Sequence, residues 1–304
     1  MTRASALLRG YISGAPARGG ATGFYEFDPF AGASLVVSYG TGKHMPGTAV
    51  VRIYVGEGFV VAADGLRRDG AGKEINATQQ KVFEAQYGSK ILAYAATGTT
   101  YLDQAPGGFD VCGEVAHLAD AVLRKGYDSP YRYTEEFGKA LKRSLRGGQE
   151  DHRIVEFIDF GRGGLIVCVL FAGYYEGRAF LSKVALLQEE QQVALPQLEY
   201  KDLVSSDIQL EISGSEKVKD SLWYTDDPRL SSFRSESCTR VRQKQPITLA
   251  DGVDLARSYI AACRDPVGRE IDPECAAIGG HIHVCTVTPS EGFKWVDPPV
   301  KNQP

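Results

Sequence analysis

The sequence contains several pairs of β-strand patterns, and a short turn with glycine joins the two members of each pair. These pairs constrain the fold most, because each predicts two antiparallel strands that are neighbours in a sheet. Residues 49–55 and 59–63 are rich in β-branched and aromatic residues, and Gly56-Glu57-Gly58 separates them. Such a pattern predicts a β-hairpin, because the glycines supply the backbone conformations that tight turns require. The same signals predict two further hairpins, whose strand pairs are 81–85 with 91–96 and 164–172 with 178–187.

Helical patterns lie between and after these hairpins. Apolar residues recur at intervals of three and four from Val111 to Leu123, which predicts a helix that ends at Gly126. A second helix is expected from a cap at Thr134 to Gly147. The remaining predicted elements are a helix capped by Ser213 or Ser215, a helix after the capping box Thr248–Asp251, and closing strands at 282–287 and 293–296.

Hairpins, then paired helices, then further hairpins argue against an alternating βαβ order. We therefore predict the α+β class, with antiparallel sheets covered by helices. Residues 188–211 and 224–247 are polar and long for connecting loops, so we expect them to be insertions in one domain spanning 48–304. Residues 1–47, rich in Gly, Ala, Ser and Pro, are expected to form a leader or arm.

Composition excludes several classes of function. The 304-residue chain has a formal net charge of −4 and no run of five basic residues, so it lacks the basic surface of a nucleic-acid-binding protein. Its longest apolar runs, such as 165–172, are far shorter than the roughly 20 residues of a membrane-spanning helix. No signal peptide is evident, and the six cysteines include no CxxC pair. We expect a cytoplasmic protein that binds neither nucleic acid nor membrane.

One group of possible metal ligands lies on a predicted strand. His281, His283 and Cys285 alternate, so their side chains point to one face. Successive side chains on that face are about 6.6 Å apart, which is too far to enclose one zinc ion. We therefore expect a paired or core role for these residues, no metal site and no cofactor.

Three reactive residue types flank the first two hairpins. Thr48 follows Gly47 and precedes the first predicted strand, Asp64 directly follows the second strand, and Lys81 begins the third. A threonine hydroxyl needs a base within hydrogen-bond reach, and a free α-amine with an ordinary pKa of about 7.7–8.0 can supply one. A charged lysine nearby lowers the pKa of such an amine, and an aspartate orients the lysine.

These residues, together with Lys81-Val82-Phe83, resemble the start of mature proteasome β-type subunits, which are N-terminal-nucleophile (Ntn) hydrolases. The interval from Thr48 to Asp64 is the one that this family has between its nucleophile and its first supporting acid, and the interval from Asp64 to Lys81 is slightly longer than usual. In that family a leader ending in glycine is removed autocatalytically, and the freed threonine becomes the nucleophile.

This resemblance has implications for fold and function. It implies a four-layer αββα sandwich, autocleavage between Gly47 and Thr48, and hydrolysis of peptide bonds by Thr48 with Asp64 and Lys81. It also implies a homo-oligomer, with a ring among its possible forms.

The resemblance assigns two further positions near the nucleophile. Gly98, in Thr97-Gly98-Thr99, is similar to the glycine whose backbone N–H binds the oxyanion. Ser213, in Ile212-Ser213-Gly214-Ser215, is similar to the serine that contacts the amine of the nucleophile, although an N-cap role explains Ser213 equally well. Ser215 is a supporting candidate.

The C-terminal part of the resemblance is incomplete. The family has an aspartate and a serine where this sequence has Cys275 and Ile278. Asp272 is the nearby candidate for the third acid, and Gly279 lies in the loop expected to close the site.

Two other functions remain open. A non-catalytic subunit of the same fold would keep residues 1–47, whereas an amidase or acylase would apply the same terminal-residue chemistry to a small molecule. Gly40-Thr41 is a weaker cleavage candidate than Gly47-Thr48, because no strand and acid follow it at the required interval.

Overall fold

The computed structural model describes residues 48–68, 73–98, 101–102, 109–150, 164–189 and 192–300, all within the compact unit Gly42–Pro304. The predicted leader at 1–47 therefore lies outside the described residues. The longer strands are β1 (Val50–Val55), β2 (Gly58–Asp64), β3 (Val82–Tyr87), β4 (Lys90–Gly98), β5 (Leu165–Tyr175), β6 (Arg178–Glu189), β7 (Gln197–Leu203), β8 (Gln209–Ser213), β9 (Ile282–Thr288) and β10 (Gly292–Asp297). Short strands of two or three residues occur at Arg67–Arg68, Glu74–Asn76, Tyr101–Leu102, Phe109–Asp110 and Gln192–Val193.

The helices accompany these strands. The α-helices are α1 (Val111–Leu123), α2 (Pro130–Glu150), α3 (Glu216–Lys219), α4 (Glu236–Arg242), α5 (Leu249–Arg264) and α6 (Pro266–Ile271). A π-helical turn, Asp220–Tyr224, extends α3, and 3₁₀ turns cover Pro228–Phe233 and Pro273–Ala277. No helix in these described ranges is long and apolar enough to cross a membrane.

The strands form two main antiparallel sheets, which confirms the predicted combination of antiparallel sheets and helices. One sheet has the order β8-β1-β2-β9-β10. The other has the order β6-β5-β4-β3, and β6 also pairs with β7 and with the short strand Gln192–Val193. The three predicted hairpins are present as β1–β2, β3–β4 and β5–β6.

Buried apolar side chains form three clusters. The first joins α1 and α2 to the β6-β5-β4-β3 sheet, and Tyr133, Phe137 and Phe171 are among its members. The second joins α5 to the β8-β1-β2-β9-β10 sheet and includes Trp223 and Tyr259. The third contains residues of both sheets, among them Phe59 and Leu170. Removal of this apolar surface from water is the main stabilising contribution to the fold.

A buried arginine also links the two sheets. Arg52 lies in β1, is 6% exposed, and donates to the carbonyl oxygens of Phe171 (2.9 Å) and Ser182 (2.6 Å) in β5 and β6. It also pairs with Glu211, which is opposite Arg52 on β8 (2.5 Å). Because a buried charge is tolerated only when it is paired and hydrogen-bonded, this network ties Arg52 to both sheets.

One predicted helix start differs from the structure, and another is resolved between its two candidate caps. Helix α2 begins at Pro130 rather than after Thr134, and the Thr134 hydroxyl donates to the Pro130 carbonyl one turn back instead of capping. Proline suits the first turn because its missing N–H has no helical partner there. Ser215, not Ser213, caps α3 by accepting from the Val218 N–H. The Thr248–Asp251 capping box of α5 is present as predicted.

The stretches expected to be insertions contain regular structure. Within 188–211, β7 pairs with β6, and the start of β8 pairs with β1. Within 224–247 lie the 3₁₀ turn Pro228–Phe233 and helix α4. The pairing of β8 with β1 places Ser213 next to the start of β1.

Candidate active site

The hairpin β1–β2 brings Thr48 and Asp64 together. Val50 is opposite Ala63 in the antiparallel register, so the start of β1 and the end of β2 lie at the same end of the hairpin. The Asp64 N–H donates to the Ala49 carbonyl at 3.1 Å and extends this pairing beyond β1. Two positions that are well separated in sequence thus become neighbours, because a tight turn lies midway between them.

Strand β3 supplies the third residue. Lys81 directly precedes β3 in the other sheet, and its carbonyl accepts from the Ala96 N–H at 3.2 Å. Its ammonium Nζ lies 3.1 Å from Thr48 Oγ1 and 3.3 and 3.4 Å from the two Asp64 carboxylate oxygens. Thr48, Asp64 and Lys81 are 7%, 0% and 2% exposed, respectively. The structure therefore brings the three sequence-predicted residues into one buried polar group.

The backbone surrounds the Asp64 carboxylate with donors. One oxygen accepts from the Ala49 N–H (2.9 Å), and the other accepts from the N–H groups of Leu66 (3.2 Å) and Gly279 (3.1 Å). Burial raises the pKa of Asp64, whereas the Lys81 ammonium and these three N–H groups oppose that rise. The sequence predicted Gly279 as a supporting residue but gave no sign of the donors at Ala49 and Leu66.

Three chain segments form the support behind Asp64. The Gly65 N–H donates to the Gly279 carbonyl, the Gln79 N–H to the Gly65 carbonyl, and the His281 N–H to the Ala77 carbonyl. Gly280 has a positive φ of 71°, and a Cβ atom there would lie 2.2 Å from the Ala77 oxygen. A side chain at position 280 would therefore separate the segments that hold the carboxylate.

Gly98, the predicted oxyanion donor, is the last residue of β4. Its φ is +92°, and a Cβ atom would lie 2.7 Å from the Ile166 carbonyl oxygen. Both features require glycine at this position. They explain the residue structurally, and its contact with an oxyanion stays a prediction.

Ser213, Ser215 and Asp272 do not join the hydrogen bonds of the buried group. Ser213 lies opposite Val50 in the β1–β8 register, and Val50 follows Thr48 closely in the sequence. Ser215 donates to the Asp272 carboxylate at 2.7 Å, and both side chains are buried. A Cβ atom on Gly214, between the two serines, would contact the Ala49 Cα at 3.5 Å. The Ser215–Asp272 pair thus sits close behind the start of β1.

His283, for which the sequence predicted a paired or core role, is a buried residue near the site. It lies opposite Ala63 on β2, and its Nε2 is 3.0 Å from the Gln79 carbonyl, to which the neutral ring donates. Burial lowers the pKa of His283 to about 4. The bond fixes the segment that leads to Lys81. The alternation of polar residues at 281, 283 and 285 on a closing strand was the available sequence signal.

The residues named as possible metal ligands have other contacts. His281 Nε2 lies 3.0 Å from the Pro298 carbonyl, and Cys285 is fully buried between the sheets. Throughout the described ranges, no cluster of three or more His, Cys, Asp or Glu residues is arranged to hold a metal ion.

Comparison with known proteins finds similarity to solved structures only. No family model matches the chain, and no curated protein matches it. An Anbu (Gly-1) mutant from Hyphomicrobium sp. strain MC1 is 16% identical, with a TM-score of 0.49 over 83% of this chain and 89% of that one. Anbu (ancestral beta-subunit) from Yersinia bercovieri is 12% identical (TM-score 0.46, 82% and 86% covered). Anbu from Hyphomicrobium sp. strain MC1 is 14% identical (TM-score 0.46, 82% and 88% covered).

These comparisons correct the identification made from the sequence. The assignment to the proteasome β-type subunits of the Ntn hydrolase family is wrong, since no family model supports it and the similar solved structures are Anbu proteins. The resemblance extended over roughly residues 47–297 but was strong only over 47–83, and a local motif does not by itself establish a family or a function.

Proposed function

We propose that this protein hydrolyses amide bonds with Thr48 as nucleophile, after cleavage between Gly47 and Thr48 has made Thr48 a terminal residue. The observation that carries the proposal is the 3.1 Å contact from Lys81 Nζ to Thr48 Oγ1 within a buried group that includes Asp64. A buried ammonium that donates to a hydroxyl oxygen stabilises the negative charge that develops there on deprotonation. Gly47 itself lies outside the described residues.

The base in this proposal is the α-amine of Thr48. Among the described residues, the Thr48 hydroxyl accepts a hydrogen bond from Lys81 and donates none to a histidine or a carboxylate. An α-amine is held next to its own side chain by covalent geometry, and its ordinary pKa of about 7.7–8.0 suits proton transfer near neutrality. The positive charge of Lys81 lowers the pKa of that amine further and keeps part of it neutral.

In this proposal, the cleavage that frees Thr48 from Gly47 also uses the Thr48 hydroxyl oxygen as nucleophile. Thr48 Oγ1 attacks the Gly47 carbonyl carbon, the bond from that carbon to the Thr48 nitrogen breaks, and the nitrogen gains a proton as it leaves. Water then hydrolyses the resulting ester, which leaves a Gly47 carboxylate and a free amine on Thr48. Each turnover repeats this chemistry on a substrate amide: the amine takes the hydroxyl proton, an acyl-enzyme forms as the substrate amine leaves, and water releases the acid.

The remaining predicted residues have supporting roles in this proposal. The Gly98 N–H binds the oxyanion, and Ser213 contacts the freed amine from the neighbouring strand. Gly279 holds Asp64 through its N–H, and the Ser215–Asp272 pair fixes the backbone behind Ala49.

We also infer that the layers stack in the order αββα. The Arg52 bonds to carbonyls of the opposite sheet and the apolar cluster shared by both sheets support sheet-on-sheet packing. The clusters that join α1 and α2 to one sheet and α5 to the other support a helical layer on each outer face.

The test is the intact mass of the purified protein during incubation. Wild-type protein loses residues 1–47 and begins at Thr48, Thr48→Ala keeps its full mass, and Thr48→Ser is processed because it retains a hydroxyl. Thr41→Ala is the matched control and is processed like wild type. Full-length wild-type protein after long incubation, or equal processing of Thr48→Ala, would overturn the proposal and leave a non-catalytic subunit.

Processed protein then distinguishes the substrate class. Peptide hydrolysis is measured beside hydrolysis of small acylated amines, with Thr48→Ala as the blank in both assays. Faster turnover of peptides supports a peptidase, and faster turnover of the small amides supports an amidase.

A further inference from the structure

A cavity of about 860 Å³ lies apart from Thr48, Asp64 and Lys81, none of which lines it. Its walls come from α5, from the segment between the 3₁₀ turn Pro228–Phe233 and α4, and from the segments at 77–78 and 280–282. Its volume falls in the range of small-molecule sites, roughly 300–1,000 Å³. The proposal made for this cavity does not depend on hydrolysis by Thr48.

Positive charge dominates the lining of this cavity. Three arginines, Arg234, Arg257 and Arg264, face one carboxylate, that of Asp297. Arg257 and Arg264 both belong to α5, where they lie on the same face of the helix about two turns apart. An excess of guanidinium groups around a concave surface raises the local concentration of anions.

The arginines keep unused donors. Arg257 binds Asp297 through Nε and Nη2, both at 2.7 Å, which leaves its Nη1 group. Arg234 pairs with the exposed Asp226 and donates through Nη2 to the Asp227 carbonyl, which holds its guanidinium at the rim of the cavity. Arg264 is exposed and forms no ion pair within the described ranges. The Nη1 group of Arg257 and the guanidinium of Arg264 therefore remain accessible to an anionic ligand in the cavity.

The other lining groups suit an organic phosphate. Ser232 and Ser258 add hydroxyl donors, while Phe233 and Ile282 provide an apolar wall. The planar guanidinium fork binds two phosphate oxygens at once, and a diphosphate offers enough oxygens for arginines from separate elements.

We propose that this cavity binds a small organic molecule through a diphosphate group, held by Arg264, Arg257 and Arg234. The apolar wall then contacts the organic part, and the serine hydroxyls complete the hydrogen bonds to phosphate oxygens. One ligand binds per chain, and the site is separate from the buried Thr48 group.

Calorimetric titration of inorganic pyrophosphate into the full chain tests this proposal. Wild-type protein binds it saturably with one site, and Arg264→Gln weakens binding about tenfold, the loss expected for one charge-assisted contact. Arg264 is the residue of choice because it has no ion pair to break among the described residues, so the variant keeps its fold. Arg269→Gln, which removes an exposed arginine of α6 outside the cavity, is the matched control and binds like wild type.

Three results would overturn the proposal. These are the absence of saturable binding in wild type, equal losses in Arg264→Gln and Arg269→Gln, and succinate binding as tightly as pyrophosphate. The second would indicate unspecific attraction to surface charge, and the third would reject the phosphoryl group in favour of a carboxylate. Loss of binding by Arg257→Gln with unchanged thermal unfolding would support the site independently.

Discussion

Asp64 connects several parts of the candidate site through one side chain. Its carboxylate pairs with Lys81 and accepts hydrogen bonds from three backbone N–H groups. These belong to Ala49 just before β1, Leu66 in the loop after β2 and Gly279 in the segment that precedes β9. A buried carboxylate matched by an ammonium and three donors holds both charges in place. Removal of either partner leaves an unpaired buried charge.

Asp64→Asn is expected to destabilise the protein by about 3 kcal/mol, because it leaves the Lys81 ammonium buried and unpaired. Urea unfolding measures the effect, and Asp254→Asn, an exposed position on α5, is the control. The double variant Asp64→Asn/Lys81→Met should recover most of the stability, since no charge stays buried. A loss below about 1 kcal/mol in the single variant would mean that this pair is not a desolvated ion pair.

His283 is expected to make stability depend on acid pH. Its pKa is lowered to about 4 in the folded state, whereas an unfolded histidine has a pKa of about 6.5, so the unfolded chain binds the additional proton between these values. Stability is therefore full above about pH 6.5 and falls toward pH 4, by about 2 kcal/mol after solvent screening.

The variant His283→Gln keeps a donor for the Gln79 carbonyl but cannot take up the proton. Thermal unfolding between pH 7 and 4 should show a shallower loss for this variant than for wild type, with exposed His117→Gln as control. Parallel pH profiles for wild type and His283→Gln would show that the ring is not buried in its neutral form.

At the scale of elements, the sequence predicted the hairpins and helices whose turns and caps are formed by residues that are neighbours in the sequence. The hairpin β1–β2 follows from its glycine turn, and α5 follows from its capping box. Strands β7 and β8 do alternate apolar and polar residues, at Leu198 and Tyr200 and at Leu210 and Ile212, but within stretches read as polar insertions. Their pairing with β6 and β1 is a tertiary contact that stabilises them. Helix α3 is short because the backbone widens into a π turn after Lys219.

The end of β4 offers a prediction at this scale. Gly98→Ala is expected to destabilise the protein by about 2–4 kcal/mol, because the new methyl group meets the Ile166 carbonyl at 2.7 Å in a backbone conformation with φ +92°. Gly126→Ala is the matched control: its φ is +69° but nothing lies within 4 Å of the added carbon, so it should cost only about 1 kcal/mol. Equal losses, measured by chemical denaturation, would indicate that β4 shifts freely away from β5.

At the scale of the whole molecule, the candidate site depends on contact between the two sheets. Thr48 and Asp64 come from one sheet and Lys81 from the other, so their contact requires that packing. The spacing of the three residues predicted that they would meet. The Ala49 and Leu66 donors are backbone groups that every residue type carries, and His283 reaches the site from the distant C-terminal part of the chain. Sequence spacing cannot locate such contacts.

Arg52 is expected to be important for this packing. Arg52→Met removes its bonds to the carbonyls of Phe171 and Ser182 and leaves Glu211 unpaired, which should cost about 3 kcal/mol in guanidinium unfolding. The exposed Arg178→Met at the start of β6 is the control and should change stability by less than about 0.5 kcal/mol. An Arg52→Met variant with an unchanged free energy of unfolding would show that apolar packing alone holds the sheets together.

The nucleophile itself is tested most directly by labelling with an electrophile that bonds a hydroxyl and an adjacent free amine together. Peptide mapping by mass spectrometry should find one adduct, on the peptide that begins at Thr48, with none in Thr48→Ala and slow formation in Lys81→Met. Equal labelling of Thr48→Ala, or a mapped Thr48 still joined to Gly47, would contradict a terminal threonine nucleophile.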